Sequence, residues 1–324
     1  MTTRHLFTLA LTSALLLLPF EPSRAQPLDQ LKLVLGNINS WDNQAPTLGQ
    51  EAGFFKKHGL VLENFGTQGT GETLQGVISG SADIGTGVGI AGVMRAYSKG
   101  APVRVLSPTF TGAKDIYWYV RADSPIKTAA DVTEQHTIAY STNGSPTHNI
   151  VSAFAHELGV KAKPTATGAP PSTLTQVLSG QIDIGWSAPP LGVREVKDGR
   201  IRIILSGDDV PSLRGQTVRV LIVNANTLKD RKNVIARFMD AYRESLDWMY
   251  ESPEAVKMYA AKINLPEALL RESIIEFQPK EAMQSDRMSK LEESMADAVK
   301  LKFLDKPMTQ DQLADMIQIP PRKK

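Results

Sequence analysis

Short apolar runs alternate with longer segments of helical period along most of the chain. The runs are rich in Val, Ile and Leu, and the segments between them place apolar residues such as Ala45, Leu48 and Phe55 on one helical face. This alternation is typical of βαβ units on a largely parallel sheet, so the predicted fold class is α/β. The runs predict strands at 31–35, 60–65, 82–84, 103–106, 116–120, 136–140, 182–184, 201–205 and 218–223.

Helices are predicted between these strands, and almost only helical pattern follows Asn233. Gly59 and Gly100 mark the ends of two of the helices, because glycine readily adopts the left-handed conformation of a helix stop. Outside the 45–58 helix and the C-terminal part, helices are predicted at 73–79, 90–98, 147–158, 172–178 and 191–196.

The chain also matches itself at an offset of 100 residues. The pattern Thr-Leu-x-x-Val-x-Ser-Gly-x-x-Asp-Ile-Gly occurs at 73–85 and again at 173–185. In both copies the glycine after the serine predicts a helix stop, the isoleucine a buried strand residue, and the aspartate (Asp83, Asp183) a local cap or pair. The repeat therefore predicts one helix–turn–strand device in each of two lobes.

Composition excludes several classes of function. The 36 basic and 34 acidic residues give a net charge of +2, which argues against a nucleic-acid partner. The chain contains no cysteine, which removes thiol nucleophiles, thiolate metal sites, iron–sulfur clusters and disulfides. Histidines show no metal-ligand spacing, and we predict neither a metal nor any other cofactor.

The N-terminus has the pattern of an export signal. Arg4 precedes an apolar run at 6–18, which is too short to span a bilayer, and Ser23-Arg24-Ala25 offers small residues for signal peptidase. We predict a cleaved signal peptide at 1–25, the alternative being a buried N-terminal helix. Because no cysteine follows the run, lipid attachment to a mature N-terminal cysteine is excluded, and the predicted location is periplasmic.

Small residues follow each copy of the repeat where a strand ends: Gly85-Thr86-Gly87 in one half and Gly185-Trp186-Ser187 in the other. Ligands of open α/β sheets bind at this edge. Two such edges facing each other across a hinge would form a clamshell that offers backbone N–H groups and hydroxyls to a small polar solute.

Several motifs resemble the periplasmic substrate-binding proteins of ABC importers, in the nitrate/sulfonate/taurine group. They lie at 51–60, 79–85, 121–127 with 131–132, and 180–185 with 188–190. The resemblance implies a type II periplasmic-binding-protein fold of two α/β lobes joined by two hinge strands, with lobe 1 at 27–114 and 220–324 and lobe 2 at 115–219. It also implies a monomer without enzymatic activity, whose partners are a small-molecule solute and an ABC permease with its ATPase at the inner membrane.

The resemblance places the ligand after the first strand, after the third strand and at the start of the first long helix of lobe 2. Ser145 and Thr147 are candidates for an oxyanion site or for a simple helix cap. Trp41 and Trp186 could each stack on the ligand or close the core. Arg219 could bind an acid group or form a hinge ion pair. The candidate ligand-binding residues are Asn39, Ser40, Trp41, Thr86, Gly87, Thr111, Asn143, Ser145, Thr147, Trp186 and Ser187, with Phe110 and Asp115 near the hinge as weaker candidates.

The expected ligand is a small organic anion, an aliphatic sulfonate above all. The alternatives are a thiamine-pyrimidine precursor or other neutral heterocycle, and a ligand sensor that does not serve import. The string Gly87-x-Gly89-x-x-Gly92 matches the dinucleotide fingerprint, but the next strand lacks the acidic residue that this site requires. A thiamine-pyrimidine synthase of the same fold would depend on a cysteine-rich motif, which this chain does not have.

Overall fold

The structure is a computed structural model that describes residues 27–322. The predicted export signal at 1–25 lies outside the described residues. Eight of the nine predicted strands overlap a strand of the structure, whereas the strand predicted at 182–184 lies directly before β8. The strands are β1 Asp29–Gly36, β2 Leu60–Thr67, β3 Ile84–Gly89, β4 Val103–Thr111, β5 Tyr117–Arg121, β6 Thr137–Tyr140, β7 Lys163–Ala166, β8 Gly185–Ser187, β9 Ile201–Ser206 and β10 Thr217–Asn224.

Helices separate most of these strands and make up the C-terminal part. None of the helices in residues 27–322 is both long and apolar enough to cross a membrane. The helices are α1 Ala45–Glu51, α2 Phe54–Lys57, α3 Thr70–Ile78, α4 Ile90–Ser98, α5 Pro146–Glu157, α6 Pro170–Leu178, α7 Val193–Lys197, α8 Ala225–Asp230, α9 Lys232–Glu251, α10 Pro253–Lys262, α11 Glu267–Phe277, α12 Leu291–Lys300 and α13 Gln310–Met316.

The first sheet has the strand order β2-β1-β3-β10-β4. β1 runs parallel to β2 and β3, whereas β10 runs antiparallel to both of its neighbours. All eight residues of β10 are buried. The expectation of a largely parallel sheet is therefore wrong for this strand, because β10 returns from the second half of the chain and enters the sheet from the opposite end.

The strands of the second half are also mixed in direction. β5 pairs antiparallel with both β8 and β9, and β6 pairs parallel with β7. A parallel bridge between Ile138 and Ile184 connects the two groups. The sequence pattern did not predict β7, because the residues Lys163–Ala166 form a short, mostly exposed strand without an apolar run. We call the first sheet with its helices lobe 1, and the remaining strands with α5, α6 and α7 lobe 2.

The repeat has the same hydrogen bonds in both lobes. Asp83 Oδ2 accepts from the backbone N–H of Lys32 at 2.9 Å, and Asp183 Oδ2 accepts from that of Thr137 at 2.8 Å. Each aspartate thereby connects the start of its strand to the neighbouring strand. This agrees with the prediction that Asp83 and Asp183 form a local cap or pair. A buried pair of threonine hydroxyls is also duplicated, Thr67 with Thr73 at 2.5 Å and Thr167 with Thr173 at 2.6 Å.

The chain crosses between the lobes at 112–116 and at 207–216. The first residue of each crossing donates a hydrogen bond to the last residue of the other. Gly112 N–H donates to the Gln216 carbonyl at 2.7 Å, and Gly207 N–H donates to the Ile116 carbonyl at 2.8 Å. Any side chain on Gly207 would collide with the first crossing, since a Cβ built there would lie 2.4 Å from the Ala113 carbonyl oxygen. The crossings therefore form one joined ribbon.

The C-terminal helices pack on lobe 1. α12 contacts α4, α13 contacts β4, and Gln318 N–H donates to the Val105 carbonyl at 2.8 Å. Leu313 and Met316 of α13 are buried in the apolar cluster that includes Val105 of β4. Burial of this apolar surface holds the C-terminal segment on the sheet.

Candidate ligand-binding cleft

The two lobes face each other across a cleft that is lined at the ends of the strands. Most of the lining residues of lobe 1 lie at or after the ends of β1 and β2, with Gly87 inside β3, and most of those of lobe 2 lie after β6 and β7 or in and just after β8. Ligand sites of open α/β sheets form at this edge. The lining residues are Gly36, Asn37, Asp42, Asn43, Gln68, Gly69, Thr70, Gly87, Ile116, Ser141, Pro146, Thr147, Ala169, Trp186, Ala188 and Arg219.

A buried polar chain builds the lobe 1 wall. Asn43 lies in a 3-10 turn at 41–43, and its Nδ2 donates to the Gly36 carbonyl at 2.7 Å. Its Oδ1 accepts from the Thr86 hydroxyl at 2.8 Å. These bonds join the turn after β1 to β3, so Thr86 positions Asn43 at the cleft.

Two helices, one from each lobe, begin at the cleft. Thr70 is the first residue of α3, and Thr147 is the second residue of α5. The first N–H groups of a helix have no partner within the helix, and the helix dipole makes this end positive. Some of these groups are already used here, since Gly71 N–H donates to Thr142 and His148 N–H donates to Ser145, and Pro146 has no N–H. The N–H groups of Thr70 and Thr147, together with the positive ends of the two helices, favour the negative or hydrogen-bond-accepting part of a ligand.

Arg219 connects the lining of the cleft to the first crossing, at 112–116. Its Nη2 donates to Asp115 Oδ2 at 2.5 Å, and its Nε lies 3.4 Å from Asp42 Oδ2. Its guanidinium carbon lies 4.4 Å from the centre of the Phe110 ring. The hinge ion pair that the sequence analysis gave as one alternative for Arg219 is thus present, and Arg219 also lines the cleft.

Burial sets the charge states in this cluster. It raises the pKa of the Asp115 carboxyl to about 7, an effect that Arg219 opposes and Asp42 reinforces. Burial lowers the pKa of Arg219, but Asp115 and Asp42 outweigh it, so that the net shift is upward and the guanidinium stays charged. One cation is thus shared between two carboxylates.

The lobes are close together in this structure. Gly71 N–H of lobe 1 donates to the Thr142 hydroxyl of lobe 2 at 3.1 Å, and Arg194 Nη2 of lobe 2 donates to the Asn264 carbonyl of lobe 1 at 2.6 Å. The cavity left between the lobes is about 40 Å³, which is room for roughly three water molecules. A larger solute therefore requires a wider separation of the lobes.

A family profile described as NMT1/THI5 like matches residues 44–256, which include most of the cleft residues. The chain belongs to the NMT1/THI5-like family. Among curated proteins, none matches this NMT1/THI5-like chain.

Solved structures similar to this family member include sulfonate-binding and nitrate-binding proteins. The alkanesulfonate-binding protein SsuA from Xanthomonas axonopodis pv. citri, bound to MOPS, has a TM-score of 0.75 and 16% identity over 91% of this chain and 100% of that chain. The aliphatic sulphonate binding protein SsuA from Escherichia coli has a TM-score of 0.69 and 17% identity, over 91% and 94%. The nitrate-binding protein NrtA from Synechocystis PCC 6803 has a TM-score of 0.65 and 17% identity, over 89% and 85%. These similarities confirm the predicted periplasmic-binding-protein fold and the resemblance to the nitrate/sulfonate group.

Three of the predicted ligand-binding residues of this NMT1/THI5-like chain line the cleft: Gly87, Thr147 and Trp186. Trp186 is buried, and its indole N–H donates to the Gly168 carbonyl at 3.2 Å. Thr147 Oγ1 accepts from the Ser141 N–H at 2.8 Å, which ties the start of α5 to the end of β6. The three residues come from both lobes.

Three other predicted residues lie behind the lining and support it. Thr86 holds Asn43, as described above. Ser145 is the N-cap of α5 and accepts from the His148 N–H at 3.1 Å, as the cap alternative predicts. Ser187 donates to the Leu191 carbonyl at 2.8 Å.

The remaining predicted residues point to other surroundings. The Trp41 ring is fully buried against Tyr250 and Tyr259, at centroid distances of 6.0 and 5.6 Å, so it closes the core of lobe 1. The other four predicted residues also make contacts outside the cleft lining. Asn39 borders a separate groove near Pro190, and Ser40 donates to Asp42 and faces the Pro189 carbonyl.

Thr111 pairs with Thr217 at the end of β4. Asn143 is exposed and accepts from the Tyr140 hydroxyl.

Sequence reasoning missed cleft residues that lie beside the predicted ones. Asp42 and Asn43 immediately follow Asn39-Ser40-Trp41, and Gly69 and Thr70 follow β2. The β2 residues had a usable signal, because β2 is parallel to β1 and must end at the same edge of the sheet.

The glycines of the 87–92 string, which matches the dinucleotide fingerprint, allow the two lobes to approach each other closely. Gly89 is the N-cap of α4, and both Gly89 and Gly92 lie against the 144–146 segment of lobe 2. Small residues are needed there because two backbones approach closely. Within residues 27–322, no group of three or more His, Asp or Glu side chains could hold a metal ion.

Proposed function

We propose that this chain is the solute-binding component of an ABC importer, exported to the periplasm, that captures a small organic solute in the inter-lobe cleft without transforming it. The loaded protein delivers the solute to a membrane permease and its ATPase. The support is the binding-protein fold, together with a cleft whose polar groups are placed by both lobes.

The observation that carries the proposal is the convergence of two helix N-termini, from opposite lobes, on one cleft. Thr70 opens α3 and Thr147 lies in the first turn of α5, and both line the same cavity. Such donors suit an oxyanion, which supports a sulfonate as the ligand class. The similar SsuA structures are named for sulfonate ligands, which agrees with this choice.

A neutral heterocycle, such as a thiamine-pyrimidine precursor, is the second candidate. Its support is that the charge of Arg219 is already balanced by Asp115 and Asp42, while the Trp186 ring offers an aromatic surface. A neutral ring would use this surface without needing a free cation.

Solute capture would act through lobe closure. The solute stabilises the closed form only as far as it binds that form more tightly than the open form. Bonds such as those from Gly71 to Thr142 and from Arg194 to Asn264 exist only while the lobes are together. Closure then creates the surface that a permease would recognise.

Thermal-shift screening of the purified mature protein tests the proposal, with alkanesulfonates, aminoalkanesulfonates, nitrate, carboxylates and aminopyrimidines as separate arms. A ligand at about 100 times its Kd should stabilise the fold by about 2.7 kcal/mol. Stabilisation by sulfonates alone supports the first candidate, and stabilisation by pyrimidines alone supports the second. Chemical conversion of a bound solute, detected by mass spectrometry, would overturn the binding-protein role.

Import and sensing are separated by a second measurement. The loaded protein should stimulate ATP hydrolysis by the cognate permease–ATPase complex in proteoliposomes, and the empty protein should stimulate it less. Ligand binding without any such stimulation would favour the sensor alternative.

A further inference from the structure

We propose that Asp42 determines specificity in the cleft, and that the solute carries a hydrogen-bond donor, an amino or ammonium group, which this carboxylate accepts. This inference rests on the proposed function, since it concerns the ligand of the same cleft. It adds that a plain anion, without a donor group, is a poor ligand.

The charges in and directly behind the cleft are more negative than positive. Among the cleft-lining residues in the described part of the chain, Asp42 and Arg219 are the ones with a formal charge. Asp115 lies directly behind Arg219 and is fully buried. Two carboxylates thus face one guanidinium, and protonation of Asp115 would bring the sum to zero but never to a positive value.

Arg219 is committed in part to the protein itself. Asp115 accepts from its Nη2 and the Phe110 ring covers one face of the guanidinium, while Nε has no hydrogen-bond partner among the described residues but lies 3.4 Å from Asp42 Oδ2. An added anion would have to compete with two buried carboxylates for this cation. Because the charges are removed from water, such competition is unfavourable.

Asp42 can accept more hydrogen bonds than the protein supplies. This buried side chain accepts from the Ser40 hydroxyl and, at 3.4 Å, from Asn43 Nδ2. An ionised carboxylate has about four acceptor positions. A buried carboxylate gains most from an additional donor, and Asp42 lines the cavity where the ligand would supply one.

Together these observations give the cleft two chemically different sides. The N-termini of α3 and α5, at Thr70 and Thr147, offer donors, whereas Asp42 offers an acceptor. The matching solute has an acceptor or oxyanion at one position and a donor at another, as in an aminosulfonate or an aminopyrimidine.

The test uses probe pairs that differ in one group, measured by isothermal titration calorimetry on the mature protein. The first pair is 2-aminoethanesulfonate and 1-propanesulfonate, which exchange an ammonium for a methyl group. The second pair is 4-aminopyrimidine and 4-methylpyrimidine. In at least one pair the amino compound should bind about tenfold or more tightly, because a hydrogen bond to a charged group is among the stronger ones.

Asp42→Asn should abolish this preference and strengthen the binding of 1-propanesulfonate, while Asp42→Glu should keep the preference in part. Asp208→Asn is the control, since it removes a carboxylate from an exposed part of the second crossing, away from the cleft lining. Circular dichroism and thermal unfolding of each variant show whether it is folded. If Asp42→Asn fails to fold, the preference of the wild-type protein within each pair still decides the question.

If the compound without the amino group binds equally or more tightly in every pair that binds to the wild-type protein, the inference is overturned and the proposed function still stands. A preference for the amino compounds that survives in folded Asp42→Asn would overturn the role of Asp42. If no probe binds to either protein, the ligand classes of the proposed function fail, and this inference fails with them.

Discussion

Gly92 of α4 lies against the carbonyl oxygen of Gly144 in the opposite lobe. A Cβ built on Gly92 would come within 2.7 Å of this oxygen, which is closer than real Cβ contacts allow. The closed arrangement of the lobes therefore depends on the missing side chain, and an alanine at 92 could be accommodated only by moving the lobes apart.

Gly92→Ala should weaken solute binding by about tenfold or more, because overpacking at a close contact costs about 1–3 kcal/mol. The open form should remain folded, and alanine favours a helix interior over glycine. Gly76→Ala is the matched control, since Gly76 is also within a lobe 1 helix but its Cβ would meet only Val34, at 3.5 Å. Calorimetry and small-angle X-ray scattering measure affinity and closure, and equal affinities of the two variants would contradict the prediction.

Trp186 and Trp41 should respond differently to replacement by phenylalanine. Trp186→Phe should lower ligand affinity by up to about tenfold, since an aromatic contact contributes about 0.5–1.5 kcal/mol. Trp41→Phe should instead lower the free energy of unfolding by about 1–3 kcal/mol, because its ring fills the lobe 1 core. Affinity titration and urea unfolding of both variants check this, and a loss of affinity confined to Trp41→Phe would exclude Trp186 from the site.

Much of the fold could be predicted from the sequence because its signals are local. Gly80 and Gly180 adopt φ of 76° and 78°, as the repeat predicts for helix stops. The direction of β10 could not be read from its residues, because a strand buried on both faces is uniformly apolar in either direction. Strands β3 and β8 begin later than predicted, at Ile84 and Gly185. At these starts the aspartate carboxylate pairs with the neighbouring strand before the backbone ladder begins.

The candidate site was less predictable, because it depends on which side of a turn each residue faces. Trp41 and Asp42 are neighbours in the same 3-10 turn, yet the indole enters the core and the carboxylate lines the cleft. The apolar pattern could not separate a stacking tryptophan from a core tryptophan. The Arg219 ion pair also depends on a tertiary contact with Asp115, a hundred residues away in the chain.

The duplicated threonine pairs should contribute similarly to stability in the two lobes. Thr73→Val and Thr173→Val should each lower the free energy of unfolding by about 1 kcal/mol, because each leaves a buried hydroxyl with one partner fewer. The double variant should show the sum, since the two sites lie in separate lobes. Thr175→Val, at an exposed position of α6, is the control. Denaturant unfolding of the wild-type protein and the four variants measures these effects, and an effect in one lobe alone would contradict the equivalence of the two pairs.

Asp115 should make stability depend on pH. Its pKa is raised to about 7 from the ordinary value of 3.8, so the folded chain holds this proton more tightly than the unfolded chain does. The resulting stabilisation is complete below the ordinary pKa and is lost as the pH rises through about 7. The free energy of unfolding of the wild-type protein, minus that of Asp115→Asn, should therefore fall across this interval. A difference that rises with pH would show that Asp115 is instead ionised more easily when folded.

The joined crossings at 112–116 and 207–216 restrict how the two halves can move. Since Gly112 is bonded to Gln216 and Gly207 to Ile116, neither segment can slide or twist independently of the other. The lobes would then move mainly by rotation about an axis along the paired crossings. A solute would therefore enter and leave on the side of the cleft opposite this axis.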